Sequence, residues 1–125
     1  MLLELNDLLG KPYKAHGRGP DGYDCYGLVI EVEKRLGKDM PDLYKKLSEG
    51  EDIHNASCVS QKAGYRKVDK AEFGDVVVFF NQNGQIHHSG VCLKNGDFVH
   101  CDKYGVRISQ LDTGVERKEV YRCLN

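Results

Sequence analysis

Asp24-Cys25-Tyr26-Gly27-Leu28-Val29-Ile30-Glu31-Val32-Glu33-Lys34-Arg35-Leu36-Gly37 is the stretch on which the fold turns. Asp24 is a good N-cap residue, and Leu28, Val29, Val32 and Leu36 fall on one face at helical spacing. Gly37 suits the position just past a helix end. The stretch therefore predicts a helix with Cys25 in its first turn, at the leading edge of the buried face. A thiol there is chemically distinctive, because unpaired N–H groups and the positive end of the helix dipole favour its ionised form. Upstream, Leu2, Leu3, Leu5, Leu8 and Leu9 lie near helical spacing and predict a first helix, stopped by Gly10 and Pro12. Residues 11–23 between the two read as loop, punctuated by Gly17, Gly19, Pro20 and Gly22.

Downstream the period changes. Val76 to Phe80, Ile86 to Leu93, Phe98 to Cys101, Val106 to Ser109 and Glu119 to Cys123 read as short strands. Asn83-Gly84, Asn95-Gly96 and Tyr104-Gly105 separate the first four, which is the pattern of an antiparallel meander. Met40 to Lys70 shows no clear period beyond one or two short helices around Leu43 to Leu47, then irregular chain. Helices first and strands afterwards predict an α+β domain, with N-terminal helices packed on a central antiparallel sheet of about five strands. The 125 residues suit a single domain over 1–125.

Composition narrows the function. Apolar residues make up 40%, and 18 Lys+Arg balance 19 Asp+Glu, so the chain carries no basic arm for nucleic acid. The longest aliphatic or aromatic run, Val76 to Phe80, is far short of the roughly 20 residues that cross a bilayer. No nucleic-acid or membrane partner is expected. Met1 to Asp7 lacks the basic start and apolar run of a secretory signal, so synthesis in the cytoplasm is expected. Five cysteines, none in a C-x-x-C pair, then read as reduced thiols.

A nucleophilic thiol needs a base, and the base needs a group to orient it. His16, His54, His87, His88 and His100 are available. His87 and His88 are adjacent on one strand and must face opposite sides, with His88 sharing its face with Gly90 and Cys92. Register decides the rest. A two-residue Asn95-Gly96 loop puts His88 and His100 on opposite faces. A three-residue loop, Lys94 to Gly96, sets His100 opposite Gly90 and on the face of His88, with Gly96 left-handed in a bulged turn.

Tyr13, eleven intervening residues, Asp24-Cys25-Tyr26-Gly27-Leu28-Val29, then Phe73-Gly74-Asp75-Val76-Val77, His88-Ser89-Gly90-Val91 and Phe98-Val99-His100 together resemble the NlpC-type cell-wall peptidase family. The motifs occur in order across positions 11–101. The resemblance implies a papain-like fold and cysteine endopeptidase chemistry, with no cofactor and no metal. It makes Cys25 the nucleophile and His88 the general base and later the general acid. His100 becomes the third polar residue, bonding the far nitrogen of His88. Tyr13 would reach the site from its loop and, with the Cys25 backbone N–H, donate to the developing oxyanion. Asp24 would cap the helix and support the loop. The implied substrate is the γ-D-glutamyl link to diaminopimelate or lysine in peptidoglycan stem peptides, with Lys14, Arg18 and Lys103 as candidates for a cationic rim. Three positions depart from the family pattern. Tyr26 stands where serine is commonest, Ser89 replaces a valine, and His16 replaces a loop aromatic. A large aromatic after the nucleophile resembles the phage and prophage branch, which implies phage tail proteins as partners and phage delivery or lysis as the route to the wall.

Three other readings share these residues. His87 or His88, Cys92, His100 and Cys101 are adequate ligands for zinc, but their spacing fits no common zinc pattern. A non-catalytic structural module of a tail or wall complex would keep the fold without the chemistry. A papain-like amidase or acyltransferase on a non-peptidoglycan substrate would run the same triad in a different pocket.

Overall fold

Asp24 starts the helix as its residue type requires. In the structure, a computed structural model that describes residues 3–40, 64–84, 86–111 and 117–124, its carboxylate accepts the Gly27 N–H at 2.6 Å and opens α1, Cys25–Arg35. Gly37 follows Leu36, the last half-helical residue, with φ +81°. Glycine adopts that left-handed conformation without a steric cost. Leu28, Val29 and Val32 are fully buried. Each such side chain contributes about 1.5–3 kcal/mol relative to exposure.

Six strands follow: β1 Tyr65–Val68, β2 Val76–Phe80, β3 Ile86–Cys92, β4 Asp97–Asp102, β5 Gly105–Gln110 and β6 Lys118–Cys123. They form one antiparallel sheet in the order β1-β6-β2-β3-β4-β5. The expected meander is β2 to β5, and β6 returns to pair with the free side of β2. One face packs on α1 through Val76, Val78, Val91, Val99, Cys101 and Val106. The other carries a smaller cluster of Val77, Cys92 and Phe98.

Two expectations are corrected. Among the described residues there is one α-helix, not several. Leu5 to Lys11 instead forms successive turns, with Leu8 N–H and Leu9 N–H both donating to the Leu5 carbonyl. Of its described leucines only Leu8 is buried, too little apolar surface to hold a short helix. Among the described residues the sheet has six strands, where about five are expected. The addition, β1, lies in the stretch that showed no period, and its burial does not alternate. The helix expected around Leu43 to Leu47 lies outside the described residues.

The β3–β4 hairpin resolves the register. Gly90 pairs with His100, Val91 with Val99 and Cys92 with Phe98, so Lys94-Asn95-Gly96 is the three-residue loop. Gly96 is left-handed as expected, at φ +78°. Asn95 is left-handed too, at φ +64°, a conformation its short polar side chain tolerates.

Candidate active site

The start of α1 is built by close backbone approach. Asp24 Oδ1 also takes Arg18 Nη1 at 2.7 Å, and the same nitrogen donates to the Gly17 carbonyl at 2.9 Å. The Asp24 N–H donates to that carbonyl as well. The loop therefore lies directly on the first helical turn, and a Cβ at residue 27 would collide with the Gly17 oxygen. Glycine at 27 is a packing requirement. Asp24 holds the expected capping and supporting place. Arg18 is tied to it through Nη1.

Cys25 is partly exposed and is a free thiol. Its partner is Ser89, which bonds it through both side chain and backbone. Burial pushes the thiol above its ordinary range, Ser89 pulls it back, and the Asp24 charge adds to the rise. The expected thiolate is thus corrected. Desolvation outweighs the hydrogen bonds that reach the sulfur, and the resting sulfur is protonated.

His88 and His100 are brought together. His88 Nε2 lies 2.7 Å from His100 Nδ1, and His100 Nε2 lies 2.8 Å from Ser109 Oγ. The rings are wedged between aromatics. His88 sits against Phe79, with centroids 5.8 Å apart, and His100 stacks on Phe98 at 4.4 Å. His100 is 5% exposed. Burial, then His100, lowers His88 to about 4, while the Asp102 charge acts the other way. Burial also lowers His100. Both rings are neutral at pH 7.

Strand alternation sets how the thiol and the imidazoles relate. Ser89 pairs with Val78 and projects toward α1. His88 pairs with Phe79 and projects to the opposite face, with Gly90 and His100. The thiol and the His88 ring are therefore held by consecutive residues of β3. The alternation breaks just beyond, where a bulge at Phe79/Phe80 brings Ile86 opposite Phe80. The zinc alternative is split by the same rule, because the Cys101 thiol points to the Tyr23 carbonyl on the α1 side, at 3.1 Å, away from His100.

Tyr13 is placed on the loop with its side chain 41% exposed, bridging Tyr23 through its backbone. Tyr26 is a buried ring beside the buried Tyr65, so the aromatic after the thiol is a core residue. Lys103 lies over the exposed Tyr104 ring at 5.0 Å. Two residues were missed by the sequence reading. Ser109 was within reach of it, because continuing the register through the Lys103-Tyr104 turn pairs Phe98 with Ser109 and His100 with Arg107. Ser89 was seen only as a departure from the family motif, and its link to the thiol depends on how α1 docks.

A helix presenting a cysteine to an antiparallel sheet that carries paired histidines defines a papain-like domain. The NlpC/P60 family model matches residues 10–125, and the chain belongs to that family. It is 29% identical over 105 residues to "Probable peptidoglycan endopeptidase LytE" of Bacillus subtilis, covering 84% of this chain and 27% of the relative. The chain thus spans about a quarter of that relative's length. Among solved structures, an NlpC/P60 protein from Bacillus cereus matches at TM-score 0.68 and 25% identity, over 94% of this chain and 37% of the other. RipD from Mycobacterium tuberculosis, described as a non-catalytic NlpC/p60 domain protein adapted to peptidoglycan binding, matches at TM-score 0.62 and 21% identity, over 92% and 88%.

Proposed function

We propose that the chain is a cysteine endopeptidase of peptidoglycan stem peptides, acting on the γ-D-glutamyl link to diaminopimelate or lysine. The observation that carries the proposal is the hydrogen-bonded chain from His88 through His100 to Ser109. Such a chain serves an imidazole that takes up and returns a proton. His88 Nε2 is engaged by His100, which leaves Nδ1 as the nitrogen for a reacting group. The Cys25 sulfur attacks the amide carbonyl carbon as its proton passes to Nδ1, and the carbonyl electron pair moves to oxygen. Collapse of the tetrahedral species expels the amine, which takes the proton from Nδ1. Water then attacks the thioester, gives a proton to Nδ1 and releases the acid, and the proton returns to sulfur. The mechanism requires the thiol and His88 to meet at one carbonyl, at the bulged end of β3. Tyr13 is proposed as the oxyanion donor with the Cys25 N–H. Association with phage tail proteins is proposed on Tyr26 alone.

One observation favours a second reading. The thiol is protonated and bonded to Ser89, and a domain that only holds peptidoglycan needs no thiol–imidazole contact. RipD is a neighbour so described. Incubation of the chain with purified stem peptides and mass analysis of the products separates the two. The endopeptidase proposal expects cleavage at the γ-D-glutamyl bond that is lost in both Cys25→Ser and His88→Ala. Binding of the same peptides without cleavage overturns it in favour of the second reading.

A further inference from the structure

We infer that Arg107 is a specificity residue that grips a substrate carboxylate beside the scissile bond. The site then takes a γ-linked D-glutamate whose α-carboxylate is free and disfavours the corresponding α-carboxamide. The inference rests on the peptidoglycan reading of this site and narrows its substrate class.

β5 brings the guanidinium to the imidazoles. Arg107 pairs directly with His100, and opposed residues of an antiparallel pair share one face of the sheet. His88 meets His100 there, and the Arg107 charge reaches both rings. The arginine side chain is fixed rather than loose. Its Nε donates to Asp102 Oδ2 at 3.0 Å, and Nη2 donates to the same oxygen. The Tyr104 ring lies against the guanidinium, its centroid 5.3 Å from Cζ. Asp102 is held in turn, because its Oδ1 accepts the Tyr104 N–H at 2.9 Å.

A guanidinium has several N–H donors in a rigid plane. Asp102 occupies the edge formed by Nε and Nη2, and among the described residues Nη1 has no hydrogen-bond partner. The remaining edge, Nη1 with the second Nη2 proton, is a fork that matches both oxygens of a carboxylate. The side chain is 49% exposed, so a ligand has access to it. Lys103, over the same Tyr104 ring at 5.0 Å, adds a second cation and leaves the group net positive beside the single Asp102 charge. An arginine already held in place loses little freedom when it binds. In a γ-linked glutamate only the side-chain carbons separate the α-carboxylate from the scissile carbonyl. A carbonyl held at His88 therefore carries that carboxylate into the field that Arg107 already exerts on the ring. A carboxamide offers the fork one oxygen and no charge.

The test is calorimetric binding of two synthetic stem peptides to the Cys25→Ser chain, which cannot turn them over. The peptides differ only in a carboxylate or a carboxamide at the α-carbon of the γ-linked D-glutamate. The carboxylate peptide is expected to bind about tenfold more tightly, the size of one charge-assisted contact. Adding Arg107→Gln should abolish the preference by weakening the carboxylate peptide alone, with carboxamide binding unchanged. Equal binding of the two peptides by the protein that keeps Arg107 overturns the inference, as does binding of neither. The full preference retained in Arg107→Gln overturns it too, and so does an equal weakening of both peptides, which would make the arginine a structural residue. Carboxylate-selective binding without cleavage by the chain that keeps Cys25 would sink the endopeptidase reading alone. Cleavage of both peptides with equal kcat/KM would sink the inference alone.

Discussion

Cys25 sits at the place in the fold where a helix terminus should lower a thiol, yet its proton is held more tightly than usual. The terminus is worth about a kcal/mol or less where water screens it, and withdrawing the sulfur from water costs more. His88 is displaced the opposite way, to about 4, by the same loss of water. A protonated thiol and a neutral imidazole are therefore the resting state, and an ion pair is not. Iodoacetamide reads this directly. Cys25 is expected to label slowly at pH 7 and to accelerate through and above pH 9, the usual thiol value. Cys92 and Cys101, buried and pushed up to about 12, should stay unlabelled in the folded protein. Ser89→Ala should raise the midpoint of the Cys25 curve. Rapid labelling of Cys25 at pH 6 to 7, followed by mass spectrometry, would show that the sulfur is ionised after all.

At the level of elements, the start of α1 was the most legible feature because its signals are local. A capping side chain, an apolar stripe and a terminal glycine all act within a turn or two of themselves. The same holds for β2 and for the turns of the meander. The upstream leucines were misleading for a matching reason. Spacing alone predicts a helix, but only Leu8 is fully buried while Leu3 and Leu5 pack against the core half-exposed, so propensity is only weakly supported by packing. β1 was illegible because its partner, β6, lies more than fifty residues away. The imidazole pair was half legible, since both hairpin registers were sterically open and left-handed Asn95 and Gly96 decided between them. How α1 docks on β3, which gives Cys25 its Ser89 partner, left no local signal. The cap itself gives a measurable expectation. Asp24→Ala should lower the free energy of unfolding by about 1–2 kcal/mol. Asp24→Asn keeps an oxygen for the Gly27 N–H, loses only the ion pair to Arg18, and should lose less. Urea unfolding of the two variants checks the order, and equal losses would assign the stabilisation to the ion pair instead.

Across the whole molecule, two buried titratable groups pull stability in opposite directions over the same pH range. Glu33, on α1, is 1% exposed and its Oε1 has no hydrogen-bond partner. Burial raises its carboxyl from 4.5 to about 7, with Lys38 opposing and Asp75 adding to the rise. The folded chain thus holds a proton that the unfolded chain releases above 4.5. Stability from this group is full below 4.5 and falls as pH rises to 7, by about 3 kcal/mol. His88 behaves the other way. Its folded value near 4 lies below the ordinary 6.5, so stability is full above 6.5 and is lost as pH falls toward 4. Between 4.5 and 6.5 the Glu33 slope opposes that of His88, to which the likewise lowered His100 adds, so the melting temperature of the native protein should rise with pH there, less steeply than without Glu33. Glu33→Gln removes one slope. Its melting temperature should match the native value near pH 4.5, climb above it as pH rises, and hold a constant lead from about pH 7.5 upward. A lead of the same size at every pH would mean that Glu33 acts through packing rather than charge, because a proton retained only by the folded chain must leave its mark on the pH axis.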